Sequence, residues 1–120
     1  MRATIQDIPI ELKAGEVETH GDTWGDIAVR TVDIPAGTDF RPLLAGLPGD
    51  QCDCPHWGYV LSGSIVVRYA DGTEETTRAG DLYYWAGGHT AWTDEGTVFV
   101  EFSPAAEIAP VLAHLGAQFA

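Results

Sequence analysis

Positive charge is scarce in this chain: six Lys and Arg stand against 18 Asp and Glu over 120 residues, for a formal net charge of −12. Phosphate backbones and anionic lipid surfaces are held by clustered cations. No basic cluster interrupts the acidic average, so nucleic acid and membranes are excluded as expected partners, and the acidity reads as surface solvation. No apolar run reaches the length of a membrane span. No apolar leader-type segment lies between Met1 and Glu11, so the expectation is a cytoplasmic protein. Cysteine is nearly missing: Cys52 and Cys54 are the only two. In a reducing compartment that excludes a disulfide framework. A bond between these two would also be strained, because extended residues two apart lie about 7 Å from each other. They read instead as a buried pair or as metal ligands. What is present is ordinary for a globular domain: 45% of residues are apolar, and a chain of this length can bury one core without staples. The 14 glycines and 7 prolines are spread rather than clustered, which points to many turns and short strands. With no repeat, linker or low-complexity run, residues 1–120 read as one domain.

The alternation Ile8, Ile10, Leu12 predicts a short edge strand. Trp24 to Ile34 forms a second strand with Ile27, Val29 and Thr31 on one face, and Phe40 to Leu47 a third. Trp57 to Leu61 is a strand by composition, Ser62-Gly63-Ser64 a turn, and Ile65 to Ala70 the returning strand. Asp71-Gly72 is a hairpin signal leading into Thr73 to Arg78. Leu82 to Trp85 and Thr97 to Phe102 complete the strands, with Ala86-Gly87-Gly88 a tight loop before His89. After Pro104 the apolar period changes: Ile108, Val111, Leu112 and Leu115 recur at helical spacing and predict a helix over about 105–118. Ser103 is its expected N-cap and Pro104 its first residue, with Pro110 an interior irregularity. Closely spaced strands with Gly-rich turns followed by one helix describe an all-β sandwich or barrel with a short C-terminal helix.

Two stretches carry a family resemblance. Pro55-His56-Trp57-Gly58-Tyr59-Val60-Leu61-Ser62-Gly63 resembles the end of the first cupin motif, and Gly80-Asp81-Leu82-Tyr83-Tyr84-Trp85-Ala86-Gly87-Gly88-His89 resembles the second. The resemblance implies the cupin double-stranded β-helix, a jelly-roll barrel with its core over about 27–103. Many cupins hold a divalent metal through His-x-His, then Glu, then a His of the second motif. Counted back from Gly63, the Glu position falls on His56 and the His-x-His positions on Asp50 and Cys52. The last His position falls on Ala91, two residues after His89, and the loop proline is Ala86. No usual ligand keeps its usual place.

The replacements are nonetheless chemically able. Cys52, Cys54 and His56 are spaced by two, which on an extended segment sets all three on one face, and His89 shares the parity of Ala91. Thiolates and imidazoles are donors for zinc, and also suit iron, nickel or copper. The expected metal ligands are therefore His56, His89, Cys52 and Cys54, and the expected cofactor is a divalent ion: zinc, iron, nickel or manganese. Three consecutive inward positions on a straight strand span about 13 Å, so a bend, with Pro55 the candidate, must bring Cys52 in. The competing readings are buried cysteines with a hydrogen-bonded histidine, or a metal-free site with His56 as general base and a cysteine as nucleophile. Glu101, an acid between Val100 and Phe102, is a second candidate catalytic group beside His56. Tyr84 and Trp92 are candidates for the mouth of a substrate pocket. His20 and His114 read as surface residues, and Arg41 and Arg68 as surface pairing partners.

The resemblance implies a range of functions. A metal-dependent enzyme of oxygenase, isomerase or lyase type, acting on a small organic molecule, stands first. A non-catalytic module that binds or senses a small molecule or metal stands second, and a metal-free dimerisation domain third. Fold alone does not choose among them. Trp57 and Tyr59, opposite His56 in parity, predict an outward face that pairs two copies into a homodimer.

Overall fold

The computed structural model describes residues 1–119; Ala120, the last residue of the expected domain, lies outside the described residues. The strands are β1 (Ile10–Ala14), β2 (Val17–Trp24), β3 (Ile27–Ile34), β4 (His56–Tyr69), β5 (Glu74–Arg78), β6 (Leu82–Trp85), β7 (His89–Trp92) and β8 (Thr97–Pro104), joined by the helices α1 (Arg41–Leu44) and α2 (Ala105–Gln118). Among the described residues these strands pair antiparallel, and the main path runs β1-β2-β3-β8-β4-β5.

β4 organises the barrel. Its first half pairs with β8 on one side and β6 on the other; its second half pairs with β5 and β7. The handover occurs at Gly63, where φ is +71° and the register against β8 has just shifted between Val60 and Ser62. A Cβ at this position would overlap the Gly96 carbonyl oxygen. The expected turn at Ser62-Gly63-Ser64 is therefore a bend inside one continuous strand, which carries the chain from one sheet to the other.

The two sheets enclose Val32, Ile34, Val60, Ile65, Val67, Tyr83, Trp85, Ala91 and Phe99. A second cluster lies under α2, where Ile108 and Val111 meet Ala28, Leu44, Cys52 and Cys54. Each fully buried aliphatic or aromatic side chain contributes about 1.5–3 kcal/mol. α2 thus acts as an end wall, its helical stripe turned toward the barrel.

Several elements depart from expectation. Phe40 to Leu47 is not a strand: Arg41-Pro42-Leu43-Leu44 forms one helical turn, with Pro42 in the first turn where its missing N–H costs nothing. β2 went unseen because Glu18 to Thr23 carry no apolar residue; pairing with β1 and β3 on its two sides holds it. In β1 the register shifts between Ile10 and Leu12, so the alternation is broken and Ile10 is exposed while Leu12 turns inward. The short strand β7 begins at His89, where only a loop exit had been expected. α2 starts at Ala105 after Pro104 and runs through Pro110; Ser103 does not cap it, because its side chain is engaged inside the barrel.

Candidate metal centre

Three segments converge at one end of the barrel interior: the loop carrying Cys52, the start of β4 with His56, and the start of β7 with His89. Backbone bonds fix the first against the third. Cys52 N–H donates to the His89 carbonyl at 2.8 Å, and His89 N–H to the Cys52 carbonyl at 3.1 Å. Gly87 permits this approach, since a Cβ there would overlap the Asp53 carbonyl oxygen. His56 enters from β4 opposite Trp85 of β6.

The result is a donor cluster. Cys52 Sγ and one ring nitrogen from each of His56 and His89 lie within 4.8 Å of one another, and all three residues are buried. Cys52 Sγ is 3.4 Å from His56 Nε2. Zinc bond lengths in a tetrahedral arrangement require a sulfur–nitrogen separation of about 3.5 Å, so this pair already fits. The imidazole rings of His56 and His89 are 5.0 Å apart and nearly perpendicular.

Both rings are held from behind. His89 Nδ1–H donates to the Ala86 carbonyl at 2.7 Å, which fixes its tautomer and leaves Nε2 for the cavity. His56 Nδ1 lies 2.7 Å from Ser103 Oγ and 3.6 Å from Glu101 Oε2, an environment that favours the proton on Nδ1 and a lone pair on Nε2. Locking Nδ1 and presenting Nε2 is how metal-binding histidines are oriented. Burial pushes the His56 imidazole down to about 3, with the Arg30 charge adding to the effect. Burial also lowers His89, and neighbouring His56 lowers it further. The Cys52 thiol is pushed up to about 11, again by burial. Without a metal the cluster is thus two neutral imidazoles and a thiol with two acceptors in reach, His56 Nε2 and the Cys54 carbonyl.

Behind His56 runs a charged network. Arg30 Nη1 donates to Glu101 Oε2 at 3.0 Å, while its Nε and Nη2 donate to Glu11 Oε1 at 3.1 and 3.0 Å. The Tyr83 hydroxyl donates to Glu101 Oε1 at 3.1 Å. Burial raises Glu101, opposed by Arg30 and by the Tyr83 hydroxyl. A cavity of about 150 Å³ opens in front of the cluster, walled by the inner faces of the strands and by α2.

The expected site residues divide accordingly. His56, His89 and Cys52 come together. Cys54 is buried but stays outside the cluster, its Sγ 3.4 Å from the Pro55 carbonyl oxygen; the bend near Pro55 that admits Cys52 turns its neighbour away. Glu101 lines the cavity, but both its oxygens are engaged by Arg30 and Tyr83, so it supports His56 rather than standing free as a base. Tyr84 is not at the pocket mouth: it is 55% exposed on the outer face and stacks on Trp57 at 5.1 Å. Trp92 is not there either; its ring is covered by the guanidinium groups of Arg41 and Arg68, 4.1 and 4.9 Å from its centre. Those arginines pair with Asp39 and Glu74 as expected of surface residues. Sequence reasoning missed Arg30 and Ser103. Arg30 had a signal, as the one cation in β3, flanked by Val29 and Thr31, and Ser103 shares the parity of Glu101 along β8.

No protein-family model matches the chain, and no curated protein matches it. Solved structures do. An RmlC-like cupin from Shewanella frigidimarina superposes with a TM-score of 0.60 at 17% identity, covering 86% of this chain and 89% of that one. The polyketide cyclase RemF from Streptomyces resistomycificus gives a TM-score of 0.60 at 16% identity, over 88% and 79% of the two chains. An oxalate decarboxylase from Lactobacillus farciminis gives 0.59 at 18% identity; 85% of this chain is covered, but it spans only 32% of that enzyme. These likenesses establish the cupin β-barrel fold, as the two sequence motifs implied.

Proposed function

We propose that this cupin-fold barrel binds a divalent metal ion through Cys52, His56 and His89, and a small organic molecule in the cavity in front of it. The observation that carries the reading is the convergence of three donor atoms within 4.8 Å, with each imidazole tied through Nδ1 so that Nε2 is free to ligate. A metal held by three protein donors keeps a position open, the arrangement of catalytic rather than structural zinc sites. That supports turnover over a closed sensing site. Thiolate with two imidazoles favours zinc, iron or nickel; manganese prefers oxygen donors. When bound, such an ion would act as a Lewis acid beside the cavity. The residues behind it orient His56 and keep water from its far side.

Elemental mass spectrometry on anaerobically purified protein tests this. The expected result is about one metal per chain, lost in His56→Ala and sharply reduced in Cys52→Ser, but retained in Cys54→Ser. Full metal in His56→Ala would refute the ligand assignment.

A homodimer belongs to the same reading. Leu82, Tyr84, Trp57, Tyr59 and Phe102 are 83, 55, 46, 41 and 41% exposed on neighbouring strands of one sheet, and a continuous apolar face of that kind marks an interaction surface. Light scattering should give twice the chain mass; a monomeric mass at micromolar concentration would remove this part. The free, buried thiols of Cys52 and Cys54 suit a reducing, cytoplasmic setting.

A further inference from the structure

We propose that the cavity selects an uncharged, largely apolar molecule about the size of a single six-membered ring. The inference rests on the reading of the cavity as a small-molecule site, and it fixes the class of that molecule.

Size comes first. A cavity of about 150 Å³ is the volume that takes up benzene when its walls are apolar. The walls here are apolar over most of their extent, with Val32, Phe40, Leu44, Ile65, Phe99 and Val111 among them. A two-ring molecule exceeds that volume and would have to leave its second ring outside the cavity or displace α2 or the strands.

Charge decides the rest. The charged residues lining the cavity are Glu11, Arg30 and Glu101. Arg30 is the single cation, and three of its N–H groups are already spent on the two carboxylates. A ligand carboxylate or phosphate would find no free cation and would be brought into an acidic chain of net charge −12. A ligand cation fares no better. Both Glu101 oxygens are engaged, and the one surplus negative charge sits at Glu11, whose side chain is 24% exposed and can be solvated. A divalent ion with Cys52 as thiolate adds one net positive charge and brings the cavity to neutrality. In the metal-free protein a charged ligand would be buried without a partner, which costs several kcal/mol; the open position of a bound ion is the one place where an anionic group would be met. Arg30 has two further N–H groups, but its charge is already met by two carboxylates. Polarity is on offer at one end only, where Cys52, His56 and His89 face the cavity. A ring with one neutral polar substituent, such as a phenolic hydroxyl, matches that distribution.

The test is thermal stabilisation and ligand-observed NMR with benzene, phenol, benzoate, benzylamine and naphthalene, run on the metal-loaded and the chelated protein. In the chelated protein benzene and phenol should raise Tm and broaden, with at least tenfold weaker binding of benzoate, benzylamine and naphthalene. The variant Ala91→Leu, which fills the cavity from β7, should lose the effect. Benzoate or benzylamine binding the chelated protein as tightly as phenol would overturn the charge argument, and naphthalene binding as tightly would overturn the size. Metal loading at about one per chain with no ring bound in either form overturns this inference and leaves the metal reading intact. Ring binding by a protein that never takes up metal supports it while the metal reading fails.

Discussion

The inner and outer faces of β4, β6 and β8 are drawn from the same short stretches of sequence, alternating residue by residue. Inside, His56, Tyr83 and Glu101 are buried, and each is tied to a partner far away in the chain: His56 to Ser103, Tyr83 to Glu101, Glu101 to Arg30. Outside, Trp57, Tyr84 and Phe102 are exposed and meet one another simply by cross-strand register. An ordinary sheet keeps apolar groups within and polar groups without. Here part of the interior is polar and fully partnered, while the exterior carries an uncovered aromatic face. Polar groups are retained in a core, at the cost of desolvation, where they do work that apolar ones cannot. Large apolar groups are kept outside where something covers them.

The sharpest way to break the comparison is to remove the same residue type from each face. Arg30→Met leaves Glu101 buried without its cation, and is expected to destabilise the fold by about 3–5 kcal/mol, with loss of metal as His56 loses its support. Arg68→Met removes an exposed partner of Glu74 and should cost about 1 kcal/mol or less. Urea unfolding of both variants measures the contrast; equal effects would mean that the Arg30 network is not structural.

Acid should reveal the interior in a second way. In metal-free protein, His56 and His89 are held below their ordinary pKa by burial. As pH falls through about 6.5, the unfolded chain takes up protons that the folded chain refuses. The stability due to these groups is therefore present above pH 6.5 and is lost as pH falls toward about 3 for His56, by up to about 1.4 kcal/mol per pH unit and group. Glu101, raised by burial, acts with the opposite sign, so the decisive quantity is the difference between wild type and His56→Gln. The variant should show the flatter dependence between pH 6.5 and 4; parallel curves would mean that His56 is not buried neutral.

The bend that separates the two sheets offers a smaller effect. Gly63→Ala combines a positive φ with overlap on the Gly96 carbonyl, and about 1–3 kcal/mol of destabilisation is expected. A neutral result would require β4 to bend elsewhere.

How much of this was legible beforehand follows from range. The barrel, its hairpins and the terminal helix rest on local period and turn chemistry, and two motifs sufficed to recognise the fold. The cluster was legible through parity: Cys52, His56 and His89 each sit where spacing turns them inward. Cys54 shares that parity and still falls out, because the bend that brings Cys52 to His56 ends the extended run. Tyr84 shows the opposite failure. Its alternation is regular, and its outward direction follows directly from the inward Tyr83 and Trp85 beside it; a polar-tipped aromatic suits a pocket mouth by chemistry, but parity decides its side. Arg30 and Ser103 act through contacts 71 and 47 residues away along the chain, and no local pattern encodes a partner at that distance.

The outer face gives the mildest test of monomer stability and the most specific one of association. Tyr84→Ser and Leu82→Ser change exposed side chains, so in dilute protein each should shift unfolding by no more than about 0.5 kcal/mol. Their effect should appear instead in the dimer, as a rise in the dissociation constant measured by sedimentation at several concentrations, with metal content unchanged. Trp57→Ser removes the residue that stacks on Tyr84 and pairs with Phe102, and should weaken association more than either. If all three variants sediment as the wild type does, the aromatic face is not where two copies meet. The inversion of polarity between the faces would then mark the interior site alone.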